Sequence, residues 1–137
     1  DVAYRLSYQK PSYKDNFSVK YHVGSLPDEN PQEYARRSPV TYAKELKRPL
    51  LITTCMNDDD VSVTEVQRMI DSLKHYNKDF EYKVYPKMGG AHQFDRLDTK
   101  EACQIRYKTW KFLEQYLDPP YKFKSYGDMR KAGYMYY

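Results

Sequence analysis

The chain has 137 residues and a formal charge of +4. That length suits one domain or part of a larger one, and so mild a charge does not demand a nucleic acid or other polyanionic partner. No run approaches the ~18 apolar residues of a membrane span, so none is expected. Cys55 and Cys103 form neither a metal spacing nor a disulfide framework; they read as buried thiols that pack like small apolar residues.

Residues 1–29 are polar, rich in tyrosine and weakly periodic, an irregular lead-in rather than the start of a self-sufficient domain. YRLSY and FSVKYHV alternate enough to suggest short extended segments. Gly24-Ser25-Leu26-Pro27 breaks the pattern. Asn30-Pro31 then opens a short helix, with Asn as N-cap, Pro at the first helical position and Glu33 in the first turn. Ser38-Pro39 ends it. The Ser38 hydroxyl is expected to bond nearby backbone. A further helical turn over Val40 to Leu46 leads to an apolar run.

That run, Leu50 to Cys55 within RPLLITTCMNDDDV, is a short β-favouring stretch between punctuators. It reads as a buried and parallel strand. It stops at Asp58, Asp59 and Asp60. Open α/β sheets place their chemistry at such carboxyl ends. Ser62 to Glu65 is a capping box opening a helix whose Val63, Val66, Ile70 and Leu73 face a sheet. Asn77 provides its left-handed stop. Phe80 to Tyr85 alternates and ends at Pro86, a half-buried second strand. Strand, helix, strand at this spacing implies a right-handed βαβ crossover, which brings Asp58 and His92 toward the same edge.

Gly89-Gly90-Ala91 is a flexible turn that presents His92. A third helix follows, capped by Asp98 or Thr99. Ala102, Ile105, Phe112, Leu113 and Tyr116 share one side, with Trp110 as a further anchor. Asp118-Pro119-Pro120 should terminate it, and residues 118–137 form a tyrosine- and lysine-rich tail at the surface. An aspartate that orients a histidine supplies two thirds of a nucleophilic triad: the carboxylate holds one tautomer and the other ring nitrogen takes a proton.

These residues resemble the catalytic domain of the prolyl oligopeptidase family of serine peptidases, with its α/β-hydrolase fold. The resemblance runs from about residue 30 to residue 117 and is carried by NPQEYARRSPVTYA, RPLLITTCMNDDDV, VYPKMGGAHQF and the closing amphipathic helix. It implies that Asp58, first of the D-D-x-V residues, is the triad acid and His92 the base. It also implies that Asp60 and Val61 contact substrate, Val61 near the pocket for the residue before the scissile bond. Asp60 stands where relatives often carry Asn or Arg, and Thr54-Cys55 replaces a His-Gly that often precedes the acid. The nucleophile's G-x-S-x-G elbow is absent, since no serine here has glycines in that pattern.

The expected fold is therefore α/β, the C-terminal half of an α/β-hydrolase with a mostly parallel sheet flanked by helices, incomplete on its own. Its partners are the N-terminal half carrying the Ser, on a longer or separate chain, and a peptide substrate. No cofactor, metal or nucleic acid is expected. The run from Asn57 to Asp60 lacks the spaced ligands and glycine of a calcium loop. Two other readings fit the same residues. One is an α/β-hydrolase esterase acting on acylated carbohydrate, with the same Asp and His. The other is a non-catalytic module whose basic, aromatic ends stack bases or sugars.

Overall fold

A computed structural model describes residues 23–133. The extended segments expected in YRLSY and FSVKYHV fall outside the described residues, apart from the last residue, Val23. Contacts group the chain into one unit up to Lys87 and a second from Met88.

The first unit opens with a turn. Gly24 takes a φ of 81°, and Glu29 and Asn30 both donate to the Leu26 carbonyl. Helix α1 covers Pro31–Arg37. Asn30 caps it as expected, its side-chain oxygen accepting from the Glu33 amide at 3.3 Å. Ser38 terminates it, and the Ser38 hydroxyl donates to the Tyr34 carbonyl at 2.8 Å. A 3-10 helix, Pro39–Glu45, fills the expected helical turn before the strand.

Strand β1, Leu50–Cys55, and strand β2, Phe80–Tyr85, pair in parallel with Leu50 opposite Phe80 and Cys55 opposite Tyr85. Helix α2, Val63–His75, connects them. Ile70 and Leu73 are wholly buried, as the apolar spacing required. Ser62 caps α2 by accepting from the Thr64 amide at 3.2 Å. At the other end Asn77 has a φ of 51°. The Lys78 amide reaches the Leu73 carbonyl and the Asn77 amide that of Lys74, each at 3.0 Å. That pair is a Schellman motif, which satisfies carbonyls the helix leaves open. The arrangement is α/β, with Tyr34, Ala43, Cys55, Ile70 and Leu73 as its buried centre.

In the second unit a 3-10 turn, Ala91–Gln93, precedes helix α3, Lys100–Glu114. Thr99, rather than Asp98, is the cap; its hydroxyl oxygen accepts from the Ala102 amide at 3.2 Å. Ala102, Cys103, Ile105 and Phe112 are buried. Leu113 and Tyr116 are not: they are 42% and 50% exposed. The helix closes at its C-cap Gln115, where the Leu113 carbonyl accepts from both Tyr116 and Leu117 and where Pro119 has no N–H for the Gln115 carbonyl four residues back. Beyond the prolines the expected surface tail contains helix α4, Tyr126–Gly133. The Ser125 hydroxyl oxygen accepts from the Asp128 amide at 3.1 Å at its start. Trp110 of α3 meets Phe123 with ring centroids 5.1 Å apart. Among the described residues, no helix is long and apolar enough to cross a membrane.

Candidate active site

The candidate residues lie in two separate local structures. The first is the loop after β1. Parallel register puts the carboxyl ends of β1 and β2 at one edge, and the Met56 amide extends the pairing by donating to the Tyr85 carbonyl at 2.9 Å. The chain then turns sharply. Asp58 Oδ1 accepts from the amides of Asp60 at 2.9 Å and Val61 at 2.8 Å. An Asp side chain that binds backbone two and three residues on makes the turn with its own carboxylate. The carboxylate is thereby fixed in place, with one oxygen serving the loop.

The residues around Asp58 divide by environment. Asp59 is exposed, while Asp58 and Asp60 are half-buried. Val61 turns toward an apolar groove of about 250 Å³ that it shares with Leu50, Ile52, Val66 and Met69. Asp58, Asp60 and Val61 are thus brought together in one short loop. Cys55, just upstream, is fully buried. Burial pushes its thiol above the ordinary range, and the charges of Asp58 and Asp59 add to this against an opposing hydrogen bond from the Asn57 backbone. Because the thiolate is the nucleophilic form, Cys55 is poorly suited to attack. Cys103 is a buried free thiol as well, so both cysteines behave as the sequence suggested.

The second local structure is the turn that carries His92. Gly90 has a φ of 81°, and Ala91, a non-glycine residue, a φ of 45°. Two consecutive left-handed residues reverse the chain, and Gly90 is required there by space as well. A Cβ on Gly90 would lie 2.7 Å from Leu97 Cδ1. The Gln93 amide closes the turn onto the Gly90 carbonyl at 2.8 Å. Buried Phe94 anchors it from the following position. His92 itself is half-buried. Asp58 belongs to the first unit and His92 to the second. Each is built locally, and their meeting belongs to the functional proposal.

One residue absent from the sequence reading organises the His92 side. Arg106 of α3 donates through Nη1 to the carbonyls of Asp95 and Leu97, the latter at 3.0 Å, and through Nη2 to Cys103 Sγ at 2.9 Å. The signal for it was present: an arginine three residues after Cys103 and four before Trp110, on a stripe otherwise apolar. A cavity of about 640 Å³ in this unit is lined by Cys103, Arg106, Trp110, Phe123 and Met129 among others. None of the residues singled out from the sequence as catalytic or substrate-binding lines it.

Of the serines, Ser38 is buried with its hydroxyl committed to backbone, and Ser62 and Ser125 cap helices. Ser25, nearest to an elbow in sequence, lies in the opening turn. Among the described residues, no group of three or more His, Cys, Asp or Glu side chains is placed to hold a metal ion.

The sequence model of the prolyl oligopeptidase family matches residues 4–119. No curated protein matches the chain.

Proposed function

Because the chain belongs to the prolyl oligopeptidase family, whose members are serine-peptidase-type hydrolases, we propose that it is the acid- and base-bearing C-terminal portion of a peptidase's α/β-hydrolase domain. The nucleophilic Ser lies in an upstream half outside this chain. The observation that carries the reading is the Asp58 carboxylate, pinned by two backbone amides at the carboxyl edge of a parallel strand. That is where open α/β sheets present their functional groups.

In this reading Asp58 accepts a hydrogen bond from one ring nitrogen of His92 and so holds the imidazole in a single tautomer. The other ring nitrogen takes the proton as the Ser hydroxyl attacks the substrate carbonyl. The tetrahedral intermediate collapses to an acyl-enzyme, and His92 returns the proton to the leaving amine. Water then enters by the same route, giving its proton to His92 and releasing the acid and the free Ser. Asp58 stays ionised throughout and stabilises the imidazolium. Asp60 and Val61, held in the same loop by Asp58, contribute to the substrate's seat. Asp60 adds a negative charge there, which favours substrates carrying a cationic group close to the scissile bond.

Two features of the first unit support the fragment arrangement. Parallel strands occur almost only in sheets covered on both faces, yet Tyr82 of β2 is 44% exposed. The groove beside Leu50 and Ile52 also stands open for packing. Both suit a sheet continued by strands of the Ser-bearing half.

The test is hydrolysis of a peptidyl amide by the protein that holds this chain together with its Ser-bearing half. His92→Ala should remove turnover while leaving the fold intact by circular dichroism. Wild-type rates in that variant would overturn the reading.

A further inference from the structure

We infer that Arg106 is the positioning residue for His92, acting through the loop Asp95–Leu97; this rests on the reading of His92 as the triad base. The guanidinium divides its donors between a loop and its own helix. Nη1 serves two carbonyls two residues apart, those of Asp95 and Leu97, and Nη2 serves Cys103 Sγ on its own helix. Only a planar, permanently charged fork can address a loop and a helix at once in this way. Charge-assisted bonds of this kind are stronger than neutral ones. The loop after His92 is thus tied to α3, a 15-residue helix whose start is capped by Thr99.

The restraint passes back to the histidine through packing. With its carbonyl held by Arg106, Leu97 lays its side chain against Gly90, so closely that a Cβ there would meet Leu97 Cδ1 at 2.7 Å. Gly90 accepts from Gln93 at 2.8 Å and Ala91 from Phe94 at 3.1 Å. His92 sits inside that closed turn. Ala91 holds a φ of 45°. A non-glycine residue keeps such a conformation only where its surroundings over-determine it. Leu97 and Arg106 supply that restraint from one side, and buried Phe94 supplies it from within the turn. A base must lie within hydrogen-bond reach of its proton, and a shift of about 1 Å in such a group can cost about 10²-fold in rate.

The experiment compares wild type, Arg106→Met, Arg106→Lys, Leu97→Ala and His92→Ala in the protein that includes the Ser-bearing half. It reads kcat and KM on a peptidyl amide, together with hydrogen exchange over residues 91–97. For Arg106→Met the expectation is a fall in kcat of about 10- to 100-fold, KM within about twofold, and faster exchange confined to those residues. Arg106→Lys keeps the charge and one carbonyl bond and should recover part of kcat. Leu97→Ala loosens the contact with Gly90 without touching the guanidinium and should show the same kcat-selective loss; it decides the matter if Arg106→Met does not fold. Wild-type kcat in Leu97→Ala and in whichever Arg106 variants fold would overturn the inference. So would a rise in KM with kcat unchanged and no local change in exchange. If His92→Ala turns over normally, the functional reading fails first and the inference with it. If His92→Ala is dead but the Arg106 and Leu97 variants are normal, only the inference fails.

Discussion

Asp58 does two things with one side chain. Its Oδ1 accepts the amides of Asp60 and Val61, which an asparagine oxygen could also do. In the proposed mechanism its charge stabilises the His92 imidazolium, which an asparagine could not do. Asp58→Asn should therefore keep the loop and the thermal midpoint close to wild type while kcat falls by about 10⁴-fold. Paired melting curves and hydrolysis rates check this, and a large loss of stability would mean that the charge holds the loop. Glu33 offers a contrast at the same scale, with a purely local role. Hydrogen bonds from Arg36 and then Arg37 hold its carboxyl at about 2, below the ordinary 4.5. A depressed carboxyl contributes stability above its unfolded value and loses it as pH falls through the folded one. The difference in melting temperature between wild type and Glu33→Gln should be present at pH 7, shrink below pH 4.5 and be nearly gone at pH 2. It should be small, because the Arg36 and Arg37 partners are exposed and the pairs are screened. The identities of Asp58 and His92 as candidates could be read from the sequence because carboxylates at a strand end and a glycine-flanked histidine are chemically unusual. Arg106 could not be read so easily. Two of its three partners are backbone carbonyls, which carry no side-chain signature, and only its place on an apolar stripe hinted at it.

Elements followed the sequence where periodicity and caps agreed. Asn30, Ser62 and Thr99 each cap the helix they precede, and the parallel pair β1 and β2 falls on the two β-favouring runs. The end of α2 gives a clean stability test. Asn77 at φ 51° closes a Schellman motif. Asn77→Ala should cost about 1 kcal/mol or more, since a Cβ disfavours the left-handed region, whereas Asn77→Gly should be neutral or slightly stabilising. Urea unfolding of the three proteins checks the order; equal costs for Ala and Gly would show that the side-chain amide, not the backbone angle, matters. The departures have physical reasons too. Helix α3 ends at Glu114 with Gln115 as its C-cap and the Leu113 carbonyl shared by two following amides, which is as far as it can run when Pro119 offers no N–H to the Gln115 carbonyl four residues back. Helix α4 was hidden by tyrosine and glycine, although Ser125 and Asp128 carry a cap signature. Its anchor is tertiary: Phe123 lies against Trp110, and Tyr121 donates to Asp128. The Trp110–Phe123 contact, 13 residues apart in sequence, is invisible to local pattern.

At the scale of the whole molecule, the family match over residues 4–119 and the absence of a G-x-S-x-G elbow in the sequence stand together. In the proposed reading the chain supplies an acid, Asp58, and a base, His92, without the nucleophile motif. Cys55, buried next to the acid with its thiol pushed up, is no substitute. The proposed function takes that Ser from outside these 137 residues, and we propose the open groove beside β1 as the place where the second half packs. The most direct measurement is labelling of the native protein with a fluorophosphonate, followed by mass analysis of the denatured chains and of their peptides. The account predicts label on a Ser outside this sequence, lost in His92→Ala. Label on Ser25, Ser38 or any other serine within it, or labelling that survives His92→Ala at the wild-type rate, would contradict it.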